Sequence, residues 1–186
     1  MRYLALATIV PAVLLAGTTA SAAEIPALHV TTASSKIEPY KPGTSGVTYN
    51  EKLAPAGATL SVLAVSAPQG STVLLTTRGL LPGREYGAHV HVKPCGPAPA
   101  DSGPHFQDKK DPVQPSVDPA YANPRNEIWL DFTTDQAGVG FAVARVPWGF
   151  GDREASSLVV HETHTHTEPG HAGTAGARLA CLNADF

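Results

Sequence analysis

Prolines and glycines break this chain so often that long helices have little room to form. There are 17 of each among 186 residues. Proline removes a backbone donor and clashes with the preceding turn, and glycine adds an entropic cost to a helix. What lies between the breaks alternates at period two, the spacing of a strand with one buried face. In Thr59 to Ser66, Leu60, Val62 and Ala64 share one face; in Ser71 to Thr77, Val73 and Leu75 oppose Thr72, Leu74 and Thr76. Ala67-Pro68-Gln69-Gly70 between them reads as a turn, and Gly79 to Gly83 as another break. Further strands are expected from Val47 onward and at Tyr86 to Val92, Ile128 to Thr133, Val139 to Val146, Leu158 to Glu162 and Arg178 to Leu182. About eight short strands with long excursions predict an all-β fold, an antiparallel barrel or sandwich.

Residues 24–46 are mixed and rich in Thr, Ser, Pro and Gly, and are expected to form a flexible lead-in to a single domain over 47–186. Residues 93–126 carry Pro, Asp, Lys and Gly without apolar periodicity. A loop that long inside a compact domain is usually functional. An apolar content of 42% is enough to bury a core, and a net charge of −3 leaves no basic footprint for nucleic acid.

The first residues read as an export signal. Arg2 supplies the positive start, Leu4 to Gly17 is a nearly unbroken apolar run, and Ala20-Ser21-Ala22 resembles a signal-peptidase site. Residues 1–23 are therefore expected to be a signal peptide, cleaved after Ala22 or Ala23, and the mature protein to be secreted. The run is shorter than the ~20 residues that span a bilayer. No second long apolar run follows, so no transmembrane segment is expected. In an oxidising compartment the two cysteines, Cys95 and Cys181, are expected to form a disulfide.

Eight histidines are present. His89 and His91 flank Val90 in a strand, so both rings face the same way and can grip one metal ion. His105 follows Gly103-Pro104, a pair that fixes backbone direction, and His161 closes the run Leu158-Val159-Val160 on the face of Val159.

Gly79 to Gly83, Gly87-Ala88-His89-Val90-His91, Gly103-Pro104-His105-Phe106, Val159-Val160-His161-Glu162 and the run from Gly173 to Cys181 together resemble the copper–zinc superoxide dismutases. The resemblance covers roughly Val47 to Phe186, and the run ending in Arg178-Leu179-Ala180-Cys181 is its most specific piece. It implies an eight-stranded Greek-key antiparallel barrel, a flattened sandwich with long functional loops. It implies a single copper held by His89, His91, His105 and His161, with Arg178 beside it and Cys95–Cys181 stapling a loop to the barrel. It also implies the activity: superoxide converted to dioxygen and hydrogen peroxide as copper cycles between Cu(II) and Cu(I). His105 would leave the reduced metal and take a proton. Imidazole suits both copper states, and arginine offers a permanent charge with a planar fork of donors to the superoxide anion.

The chain also departs from that family. There the histidine of the Gly-Pro-His motif bridges to zinc, and two more histidines and an aspartate complete the zinc site. Here residues 106 to 160 contain no histidine. Zinc normally takes four N, S or O ligands, so a copper-only member is expected, with zinc absent. The free ring nitrogen of His105 then needs another partner; Glu127 and Asp131 are the candidates. His164, His166 and His171 read either as a solvated loop or as a secondary copper or zinc site, and His29 as incidental. A homodimer is left open, because dimer contacts do not show in a sequence. Three other readings compete: a non-catalytic copper-binding or storage protein, a zinc hydratase built on His-x-His plus a third histidine, and a plain β-sandwich adhesion module. A fourth histidine and Arg178 weigh against the hydratase, and the histidine placement against the adhesion module.

Overall fold

The computed structural model describes residues 28–186. The expected signal peptide, residues 1–23, lies outside the described residues. Nine strands follow in order: β1 (His29–Lys36), β2 (Gly46–Thr48), β3 (Thr59–Ala67), β4 (Gly70–Arg78), β5 (Glu85–His91), β6 (Phe132–Thr133), β7 (Gly140–Val146), β8 (Ser157–His161) and β9 (Arg178–Asn183). Among the described residues the one helix, Pro99–Ser102, is a single 3-10 turn.

The strands form two antiparallel sheets, one in the order β1-β3-β4-β7 and the other β2-β9-β8-β5-β6. After β4 the chain crosses to the second sheet for β5 and β6, then returns as β7 beside β4, a connection of the Greek-key kind. The alternation in β3 and β4 resolves as the spacing requires. Leu60, Val62, Ala64, Val73 and Leu75 are buried against Ala88, Val90, Leu158, Val160 and Leu182 of the second sheet.

The second sheet is covered on both sides. In β5, Tyr86, Ala88 and Val90 enter the core, while His89 and His91 on the opposite face are also fully buried. What covers them is the long irregular chain after β5, tied down by the Cys95–Cys181 disulfide with its Cα atoms 5.8 Å apart, together with the loop after β8, whose Thr165 lies against His89. Among the described residues no helix is long and apolar enough to cross a membrane.

Two expectations are corrected. Residues 24–46 are not a flexible lead-in where they are described. β1 pairs with β3 over its whole length, from His29↔Ser66 to Lys36↔Thr59, and Ile37 is fully buried. The hydroxyl-rich composition suggested a linker, but β-branched threonine favours strands, and Thr31 turns inward to donate to the Asp185 carbonyl. This strand is the ninth, beyond the eight expected. Ile128 to Thr133 is extended as expected, yet only Phe132–Thr133 form a continuous ladder. Within the rest, Trp129 touches β5 through a single bridge to His89, and Glu127, just before the run, bridges Gln107.

Ile37 tests the first correction. Ile37→Ala is expected to cost about 2–5 kcal/mol, the range for a large buried aliphatic, read from the urea midpoint. A change within about 0.5 kcal/mol, as at a surface site, would restore the lead-in reading.

Candidate metal centre

β5 and β8 lie side by side, with Gly87 opposite His161 and His89 opposite Val159. His105 is drawn onto the same face because its segment pairs with β5: Phe106 N–H donates to the Val90 carbonyl at 2.8 Å, and His105 bridges His91. Gly103 makes the approach feasible. Its φ is +71°, and a Cβ there would sit 2.9 Å from a methyl of Val92.

The outcome is one cluster. One ring nitrogen from each of His89, His91, His105 and His161 lies within 4.8 Å of the others. His89 and His91 are fully buried and His161 nearly so; the His105 side chain is 17% exposed.

Outer hydrogen bonds decide which nitrogen each ring turns inward. His91 Nδ1 donates to the Gly103 carbonyl at 2.9 Å, leaving Nε2 bare. His105 Nδ1 donates to Glu127 Oε2 at 2.8 Å. His89 Nε2 lies 2.8 Å from Thr165 Oγ1. That hydroxyl donates to Asp131 Oδ1 at 2.6 Å, so it accepts from His89, and His89 Nδ1 is left bare. Indeed His89 Nδ1 is buried with no partner, and the Nε2 atoms of His91 and His161 face each other at 3.4 Å. A buried acceptor without a donor is costly. Neutral nitrogens converging this way suit a metal cation that prefers imidazole, as copper and zinc do.

Burial pushes His89 and His91 well below the ordinary histidine range, and the neighbouring imidazoles and Arg178 push the same way. Burial, then His105 and Arg178, lower His161 to about 3. The rings are thus held in the neutral form that binds metal.

Of the two candidate partners for His105, the structure selects Glu127. It is 1% exposed and accepts three hydrogen bonds: from His105, from Trp129 Nε1 at 2.7 Å and from Gln107 Nε2 at 2.8 Å. Asp131 serves His89 instead, through Thr165, whose backbone N–H it also accepts at 2.9 Å. Thr165 and Gln107 were not legible in the sequence. No motif marks them, and only the docking of the 162–177 loop onto β6 brings Thr165 into place.

Arg178 opens β9 opposite His161 across a bulge. Its Nη1 donates to the Pro99 carbonyl at 3.0 Å and to Ser102 Oγ at 2.8 Å, at the short helix of the disulfide-anchored loop. A cleft of about 190 Å³ runs to the cluster, and His105, His161, Glu127, Ser116, Thr174 and Arg178 line it. Glu127 is the only acid and Arg178 the only permanent cation in that lining.

The other histidines do not assemble. His164 Nε2 donates to the Phe132 carbonyl at 3.1 Å. His166 lies 3.5 Å from Glu168, both more than half exposed, and His171 is exposed. Among the described residues only the four-histidine group could hold a metal. His29 is exposed at the start of β1.

No protein-family model matches this chain, and no curated protein does. Solved structures do. A Cu/Zn superoxide dismutase from Brucella abortus superimposes with a TM-score of 0.52 at 19% identity, over 84% of this chain and 99% of that one. A point mutant of a SOD-like protein from Bacillus subtilis gives 0.52 at 19% identity, over 67% and 88%. The fold is like that of these two structures. At such identity the likeness carries the architecture and leaves the activity to the site's own chemistry.

Burying neutral imidazoles links stability to pH. The folded state holds fewer protons on these rings than the unfolded state does. Their contribution is therefore complete above about pH 6.5, the unfolded histidine value, and is lost progressively as pH falls below it. The metal-free protein is expected to show a denaturant midpoint that falls steadily from about pH 6.5 downward. A midpoint unchanged between about pH 8 and pH 5 would contradict the burial of neutral rings.

Proposed function

We propose that this protein is an exported, copper-dependent superoxide dismutase, converting superoxide to dioxygen and hydrogen peroxide without a zinc partner. The observation that carries the reading is the His105–Glu127 hydrogen bond. In the family this chain resembles, the outer nitrogen of the corresponding histidine faces zinc. Here that nitrogen donates to a buried carboxylate whose oxygens already accept from Trp129 and Gln107.

His89, His91, His105 and His161 would hold the copper, which supplies the one-electron redox cycle that dismutation needs and that zinc lacks. Glu127 fixes the His105 ring and its tautomer, so that Nε2 faces the cluster as an acceptor. His105 would be the proton carrier, its Nε2 holding a proton and passing it to the product. It is also the most exposed of the four rings and lines the cleft. Arg178 gives the anion a fixed positive charge and a fork of donors at the same cleft. The Cys95–Cys181 bridge supports an oxidising destination, in keeping with the proposed signal peptide at residues 1–23.

Metal analysis after mild chelation should find copper near one per chain and zinc far below that. Stable equimolar zinc would refute the copper-only assignment.

Arg178 separates an enzyme from a copper store. Arg178→Ala should retain copper, lower the superoxide rate and flatten its dependence on ionic strength, because anion attraction is screened by salt over ~10 Å at 0.1 M. Arg178→Lys should fall between. Ser102→Ala removes a docking bond but leaves the charge, so it should keep the salt slope. Copper-loaded wild type without superoxide activity would end the dismutase reading and leave non-catalytic copper binding in its place.

A further inference from the structure

The sheet β1-β3-β4-β7 has an outer face that neither the core nor the metal centre uses. Register places its outward side chains in rows. Thr32, Leu63, Leu74 and Val143 form one row, and Val30, Val65, Thr72 and Arg145 the next. Ser34, Ser61, Thr76 and Phe141 form a third, and Lys36, Thr59 and Arg78 close one end. Six apolar side chains are thus contiguous on the solvent side. Phe141 is 60% exposed, Val30 53% and Leu63 39%. Apolar patches of this kind on a folded protein mark interaction surfaces.

Charge says what the partner is. The four strands contain no Asp or Glu, although the chain holds 16 acids against 13 Lys and Arg. Their outward positions carry Lys36 and Arg78 at one end and Arg145 toward the other. None of the three forms an ion pair among the described residues. A second copy stacked on this face would bring cations to cations with no acid between them. Apolar side chains flanked at both ends by cations that form no ion pair among the described residues instead match the interface of an anionic bilayer, which takes the one into its acyl boundary and pairs the other with phosphate.

We propose that the outer face of the β1-β3-β4-β7 sheet docks the protein on anionic lipid, leaving the metal cleft on the other sheet open to solvent.

The test is flotation of the full-length mature protein with vesicles of phosphatidylglycerol and phosphatidylcholine, with vesicles of phosphatidylcholine alone, and with dextran sulfate as a soluble polyanion. Binding is expected to the anionic vesicles and not to the zwitterionic ones, and to weaken with salt. Lys36→Gln/Arg78→Gln/Arg145→Gln should lower partitioning by roughly a hundredfold, each cation near an anionic surface contributing about fivefold. Leu63→Ser/Phe141→Ser should also release the protein. Both variants alter outward side chains only, and unchanged thermal unfolding verifies their fold. Three results would overturn the proposal. The first is no binding to anionic vesicles. The second is binding that the Leu63→Ser/Phe141→Ser pair leaves intact and dextran sulfate reproduces, which makes the face a polyanion site. The third is a dimer dissolved by that pair without vesicle binding, which makes it a self-association surface.

Discussion

Four imidazoles with nitrogens within 4.8 Å of one another, three of them almost out of contact with water, can coexist only if they stay neutral. Like charges at that distance and at low effective dielectric repel by several kcal/mol, on top of the desolvation each would suffer. Neutrality alone does not make a ligand set, because a neutral ring has one nitrogen that donates and one that accepts. Every outer contact in the site resolves that choice the same way. The Gly103 carbonyl, the Glu127 carboxylate and the Thr165 hydroxyl each take a proton-bearing nitrogen from His91, His105 and His89, so the bare nitrogens are left to converge. The three acceptors come from three separate stretches of irregular chain, so the long loops act as the structure that sets tautomers.

This dependence explains what the sequence could and could not show. Period-two alternation exposed β3, β4 and the shared face of His89 and His91, because backbone geometry alone dictates them. The four histidines and the cysteine pair were legible as residue types in an order resembling a known family. The choice between Glu127 and Asp131 was not legible. Both lie on one face of the same extended segment, with Trp129 between them, while Ile128, Leu130 and Phe132 enter the core. Which ring each carboxylate reaches depends on how the 162–177 loop lands, and that is a tertiary event. β1 was missed for the opposite reason: its local composition resembles a linker, and only pairing with β3 makes it a strand.

Arg178 shows how one side chain ties the loops to the electrostatics. It is half-buried and has no carboxylate partner among the described ion pairs. Burial lowers its pKa from the usual arginine value, yet a guanidinium starts so high that it keeps its charge at any working pH. Nη1 spends its hydrogen bonds on Pro99 and Ser102, which holds the disulfide-anchored loop against β9. A guanidinium has five donors, so most remain for the cleft. Its uncompensated field also falls on the cluster and depresses His89, His91 and His161 further after burial has done so. The same positive charge therefore favours an anion in the cleft and disfavours a proton on the rings. A carboxylate placed beside Arg178 would cancel both effects at once, so leaving this cation unpaired serves the anion and the neutral rings together.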